Sequence, residues 1–180
     1  KPVIMTSIHE NSTWKGLYVF NESKEKKYSE LKSLKVSNTQ STQIGILNLT
    51  GGITFYNAKI FIDDLEIKNS SSEDALNIFK GNINILKMNI IGSKSDGFDC
   101  DFCNGTIAKL DFKNIGGDGL DISGSEISGT INKASNVMDK VVSIGEESVA
   151  NISINNVKNS YLAVAIKDGS KANLKLNNVQ

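Results

Sequence analysis

The chain has 180 residues, its 20 lysines balance 20 aspartates and glutamates, and it contains no arginine. A neutral chain exerts no long-range pull on nucleic acid or an anionic membrane, and without guanidinium forks it lacks the side chain best suited to bidentate grip on phosphate or carboxylate. Its apolar runs are too short to span a bilayer, and no secretory signal is visible at its start.

Residues 1–180 are expected to form a single domain whose first 48 residues make irregular early coils. Residues 14–20, 31–38 and 44–48 each read as a coil, with a lysine-rich loop at residues 22–27 between them. The run 49–56 opens the regular region, with its register open by one residue. From there a fixed spacing takes over. Asp74, Asp96 and Asp118 lie 22 residues apart, and two apolar series keep the same step: Leu76, Phe98, Leu120, Val142, Val164, and Ile78, Cys100, Ile122, Ile144, Ile166. Between them runs Asn77, Asp99, Asp121, Ser143, Ala165. A period in the twenties marks a solenoid, which buries its core coil by coil.

Within each repeat, apolar residues alternate over short β-branched runs, which predicts strands over helices. In residues 96–102, Phe98, Cys100 and Phe102 are expected to face inward, and Asp99 and Asp101 outward. A second strand follows at Ile83 and Ile85, Thr106 and Ile107, Ile152 and Ile154, and Leu174 and Leu176. Ile115, Val137, Val157 and Val179 close the coil. The pattern predicts an all-β parallel β-helix of seven or eight coils, right-handed and single-stranded, with rungs ~4.8 Å apart. Asn114, Asn136, Asn156 and Asn178, each preceding a closing residue, are expected to form a ladder of side-chain amides.

The phrases Glu73-Asp74-Ala75-Leu76-Asn77, Ser95-Asp96-Gly97-Phe98-Asp99-Cys100-Asp101-Phe102 and Gly117-Asp118-Gly119-Leu120-Asp121-Ile122-Ser123-Gly124-Ser125 resemble right-handed parallel β-helix proteins of the pectin-lyase-like class. They look closest to microbial surface β-helices, including those beside spore-coat-kinase-like domains. Asp139-Lys140 with Ser143, Gly145-Glu146 and Lys167-Asp168 fit the same pattern. The resemblance covers most of the chain from Leu49 onward and implies a fold. It carries no catalytic residues over, although better-known relatives act on polysaccharides as lyases, hydrolases and epimerases.

The outward column holds the candidate chemistry. Asp99 and Asp121 should lie on adjacent rungs, with Asp101 roughly 7 Å along the strand from Asp99. Like charges this close raise at least one pKa, and a neutral carboxyl beside an ionised one is what glycoside hydrolysis requires. The same three carboxylates would also serve a hard cation such as Ca²⁺, and no other cofactor is expected. A solvated acidic surface is the competing reading. Asn77, Ser123, Lys140 and Lys167 are the expected substrate-binding neighbours. With no arginine and His9 far off, hydrolysis fits better than elimination.

Asp74, Asp96 and Asp118 read as a separate column that accepts backbone N–H groups at the turn, topped by Lys140. Cys100 replaces an isoleucine of its neighbours and reads as a small buried hydrophobe, since one C-x-x-C pair cannot complete a zinc site. The sequons at Asn11, Asn48, Asn104 and Asn151 fit a chain rich in Asn and Ser. The expected partner is a polysaccharide or cell-surface glycan at an extracellular or cell-surface location, with no nucleic acid and no membrane insertion. The rival is a non-catalytic structural or adhesive surface module. The start at Lys1 and the end within a repeat predict a piece of a longer protein, with further chain or a partner capping the strand edge at residues 173–180.

Overall fold

The computed structural model describes residues 1–21 and 28–180, and the lysine-rich loop expected at 22–27 lies outside them. The described residues form strands and no helix. Because apolar side chains recur at period two within each strand and at about 22 between strands, every rung pairs in parallel with its equivalent one turn away.

Seven strands stack on the first side of the solenoid: Leu17–Phe20, Gly51–Tyr56, Asp74–Phe79, Asp96–Asp101, Leu120–Ser123, Lys140–Gly145 and Leu162–Ile166. They mark about six turns, not seven or eight. Two of the expected early coils belong to one turn: Leu17–Phe20 pairs with Gly51–Tyr56, and Leu34–Ser37 pairs with Leu65–Ser70. The third, at residues 44–48, is no coil. It is an antiparallel hairpin of Thr42–Ile44 and Leu47–Leu49, whose Ile46 is 97% exposed. Its apolar alternation resembled a rung, but of its apolar residues only Leu49 is buried.

The other two sides are separate strands in the early coils, such as Asn82–Ile85 and Met88–Ser93. They fuse into single long strands later, at Asn104–Ile115, Glu126–Val137, Val149–Lys158 and Lys171–Val179. The interior is the stack of apolar columns read from the period: Leu76, Phe98, Leu120 and Val142 are fully buried, as are Ile78, Cys100, Ile122 and Ile144. Each such side chain contributes roughly 1.5–3 kcal/mol of burial. In the last coil the same columns open, with Val164 half-buried and Ile166 exposed, and Leu162, Leu176 and Val179 are exposed beside them.

Polar groups are satisfied between coils as well. A serine column absent from the sequence expectations runs through the interior edge: Ser125 Oγ accepts the Cys103 N–H, Ser148 Oγ accepts that of Ser125, and Ser170 Oγ accepts that of Ser148. The asparagine ladder is real but broken. Asn136 Nδ2 donates to Asn114 Oδ1 at 2.8 Å and Asn178 Nδ2 to Asn156 Oδ1 at 3.3 Å, yet Asn156 Nδ2 turns to the Asn132 carbonyl. The corner explains the break. Asn114 and Asn136 hold left-handed backbone (φ 57° and 55°), which asparagine tolerates, whereas the left-handed residue near Asn156 is Asn159.

Candidate functional site

Alternation on the first side sends Phe98 and Cys100 into the core and Asp99 and Asp101 outward, and the register places Asn77, Asp99, Asp121 and Ser143 on successive rungs. The column continues back through Thr54 to Tyr18. Two residues along each strand runs a second outer column: Phe20, Tyr56, Phe79, Asp101, Ser123 and Gly145. Its first three members form an aromatic row. Tyr56 and Phe79 stack with centroids 5.4 Å apart and planes 5° apart, and Phe20 packs on Tyr56 at 6.0 Å.

Phe102 joins this row instead of the core. The strand ends at Asp101, Phe102 takes left-handed backbone (φ 53°), and its ring is 48% exposed, edge-on to Phe79 at 5.5 Å. The alternation that pointed it inward stops one residue earlier.

The hairpin supplies a facing wall. Between its Leu47–Leu49 strand and the first side lies a cleft of about 770 Å³, lined by the aromatic row and by acidic side chains. Of the residues expected at the site, Asn77, Asp99, Asp101, Asp121 and Ser123 line this cleft, while Lys140 and Lys167 do not. Lys140 Nζ is held 3.0 Å from Asp118 and 2.6 Å from Asp139, and Lys167 packs against Gly145.

The electrostatics centre on Asp99. Burial, then the neighbouring charges of Asp74, Asp101 and Asp121, push its carboxyl up to about 8, although Asn77 Nδ2 donates to its Oδ2 at 2.8 Å. Asp101 is also raised, by burial and by the charges of Glu146 and Asp121. Thr54 Oγ1 and Asp121 Oδ1 are buried without a hydrogen-bond partner.

Asp74 belongs to this site although its column reads as structural. It lines the cleft, is 4% exposed, and burial followed by the charges of Asp96, Glu73 and Asp101 brings its pKa to about 7, against a hydrogen bond to Thr50 that lowers it. Its rung partner below is Gly51. Asp96 and Asp118 do accept backbone N–H groups as expected: Asp96 Oδ1 from Asp118 at 2.8 Å, and Asp118 Oδ1 from Lys140 at 2.9 Å. Replacing Asp118 by alanine strands the Lys140 N–H and leaves the Lys140 ammonium with Asp139 as its one remaining carboxylate partner. Asp118→Ala is expected to lose about 1–3 kcal/mol in a urea melt, and a loss below about 0.5 kcal/mol would refute that anchoring role.

Cys100 is fully buried, as expected of a small hydrophobe, but it is bonded to Cys103 in a disulfide directly beneath the acidic face. Among the described residues no group of three or more acidic, histidine or cysteine side chains has the geometry to hold a metal ion. No family model, curated protein or solved structure matches the chain.

The aromatic row was missed because the step from Tyr56 to Phe79 is 23 residues, not 22. Extending the column backward with that one-residue allowance reaches Tyr56, whereas Phe20 lies a further 36 residues back, a step no fixed period would find.

Proposed function

We propose that this β-solenoid is an extracytoplasmic domain that binds a polysaccharide along the cleft and hydrolyses it. The observation that carries the reading is the pairing of an apolar aromatic row with an acidic column inside one cleft. The edges of Tyr56 and Phe79 and the tilted Phe20 ring offer an apolar wall for the C–H faces of sugar rings, and the outward polar groups meet their hydroxyls. A concave face walled by aromatic rings favours a sugar over the flat polar wall that a purely structural module would present. The Cys100–Cys103 disulfide supports an oxidising location.

Asp99 is the general acid. Its neutral carboxyl gives its proton to the glycosidic oxygen as the bond from that oxygen to the anomeric carbon breaks. Asp101 is the base, taking a proton from the water whose oxygen bonds the anomeric carbon from the opposite face. Two residues along one strand set their α-carbons roughly 7 Å apart on one face, a placement that suits an inverting pair with a water between them.

A reducing-sugar assay across a broad glycan panel, run beside a glycan array, tests the reading. Wild type is expected to bind and cleave at least one glycan with inversion. Asp99→Asn should keep binding and lose about 10²–10⁴-fold in turnover, the usual worth of general acid catalysis. Binding without turnover in wild type would leave a recognition module, and neither activity across the panel would sink both.

A further inference from the structure

We infer that the cleft selects glycans bearing free amines, with linked glucosamine units as the type, over uronate and N-acetylated polymers. The inference rests on the polysaccharide reading and names its substrate class.

The lining supplies acceptors throughout and, apart from the protonated Asp74 and Asp99, negative charge. Glu73, Asp74, Asp96, Asp99, Asp101 and Asp121 all face the cleft, and none of its described lining residues is cationic. Two nearby cations among the described residues are otherwise engaged. Lys80 Nζ lies 5.3 Å from the Phe79 ring centroid, and Lys140 is paired with Asp118 and Asp139. A uronate would add a further anion to carboxylates that already repel one another. An ammonium has the opposite sign and three donors, and charge-assisted bonds to carboxylates are the strong class of hydrogen bond.

A second observation, separate from the acidic cluster, points the same way. Thr54 is 5% exposed, lines the cleft one rung below Asn77, and its Oγ1 has no hydrogen-bond partner. Within the cluster itself, the Asp121 Oδ1 atom is also buried and unpaired. Buried polar atoms without partners are rare in native folds because leaving them unpaired is costly. A donor-rich ligand entering beside the aromatic row satisfies both, while the shared apolar wall takes the sugar ring. An N-acetyl group replaces the charged triple donor with one amide N–H and a bulkier acceptor.

The test is calorimetric titration of the whole chain, at mildly acidic pH, with three tetramers: glucosamine, N-acetylglucosamine and galacturonate. The glucosamine tetramer is expected to bind about tenfold or more tightly than either of the others, the difference shrinking severalfold at high salt. The exposed-side variants Glu73→Gln and Asp101→Asn, chosen because neither disturbs the core, should each cut that preference about threefold or more. Tyr56→Ala should weaken all binding without changing the preference. Equal or tighter binding of the acetylated or uronate tetramer, or a preference untouched by both acidic variants, overturns the amine selection and leaves the polysaccharide reading standing. No binding of these tetramers overturns the selection, and only the broad panel would then decide the wider reading.

Discussion

Between about pH 4 and pH 8 the protein is expected to lose on the order of 3 kcal/mol of stability, equivalent to roughly 6–12 °C in melting temperature. The sign follows from the acidic cleft. Burial and mutual repulsion raise Asp99 to about 8 and Asp74 to about 7 in the folded chain, against an ordinary value of 3.8. Across that window the native state binds more protons than the unfolded state, so raising the pH favours unfolding. The stabilising proton is fully present below the unfolded value and is lost as pH climbs through the folded one. Asp96 and Asp101, also raised, act in the same direction. Glu66, lowered by Lys68 and Lys35 against its burial, opposes them only at the acidic end of the range.

Asp99→Asn isolates the largest contribution. The amide has nearly the shape of the neutral carboxyl, and its oxygen can still accept the hydrogen bond from Asn77. Melting curves of the two proteins should nearly coincide near pH 4 and separate by several degrees near pH 8, with the variant the more stable. A wild-type melting temperature that is flat or rising over this range would show that Asp99 is ionised throughout. It would also remove the proton that the proposed hydrolysis requires. A variant more stable yet inactive would show the cleft giving up stability to hold an acid at the reacting bond.

The solenoid was legible because its information is repeated. Each rung of Leu76, Phe98, Leu120 and Val142 states the same spacing, and the stacked register of Asn77, Asp99 and Asp121 follows once identical strand positions pair. The site was only half legible because the cleft depends on what does not repeat. Its facing wall is a hairpin inserted between coils, and the exposed apolar residues of that hairpin imitate a rung. The aromatic row sits behind a one-residue change of step at Tyr56 and a longer one at Phe20, and Asp74 lines the cleft although its column reads as structural. The disulfide carries no such ambiguity of register, since Cys100 occupies a column that the period already buries. The pairing depends on Cys103, just past the strand end, turning back toward it.

Gly97→Val is expected to destabilise the fold by about 3 kcal/mol or more, through a contact that the Asp-Gly repeat does not announce. Gly97 and Gly119 are partners on adjacent rungs, and the ring of Phe112, 2% exposed, lies across both. A Cβ on Gly97 would come within 2.8 Å of that ring and 2.7 Å of the Gly119 carbonyl oxygen, and one on Gly119 within 3.1 Å of the ring. The same column holds Ala75 one rung below and Val141 one rung above. Phe112's own column explains the exchange, because it passes from Ile90 through Phe112 to Ala134. Where one side of the coil brings a phenyl ring, the other has given up its side chain. Where the ring becomes alanine, the valine returns.

Phe112→Ala alone should cost about 3–5 kcal/mol as a cavity. In the double variant the valine occupies part of that space, so urea melts should show a loss smaller than the sum by about 1 kcal/mol or more. Rescue stays partial because the clash with the Gly119 carbonyl is with backbone. Additive losses would break the link between ring and glycines. The consequence reaches the cleft, since Gly97 stands two residues before Asp99 on the same strand. A strand pushed outward there carries the acid with it, so the single variant should weaken glycan binding even at temperatures where it remains folded, and Phe112→Ala should restore part of it.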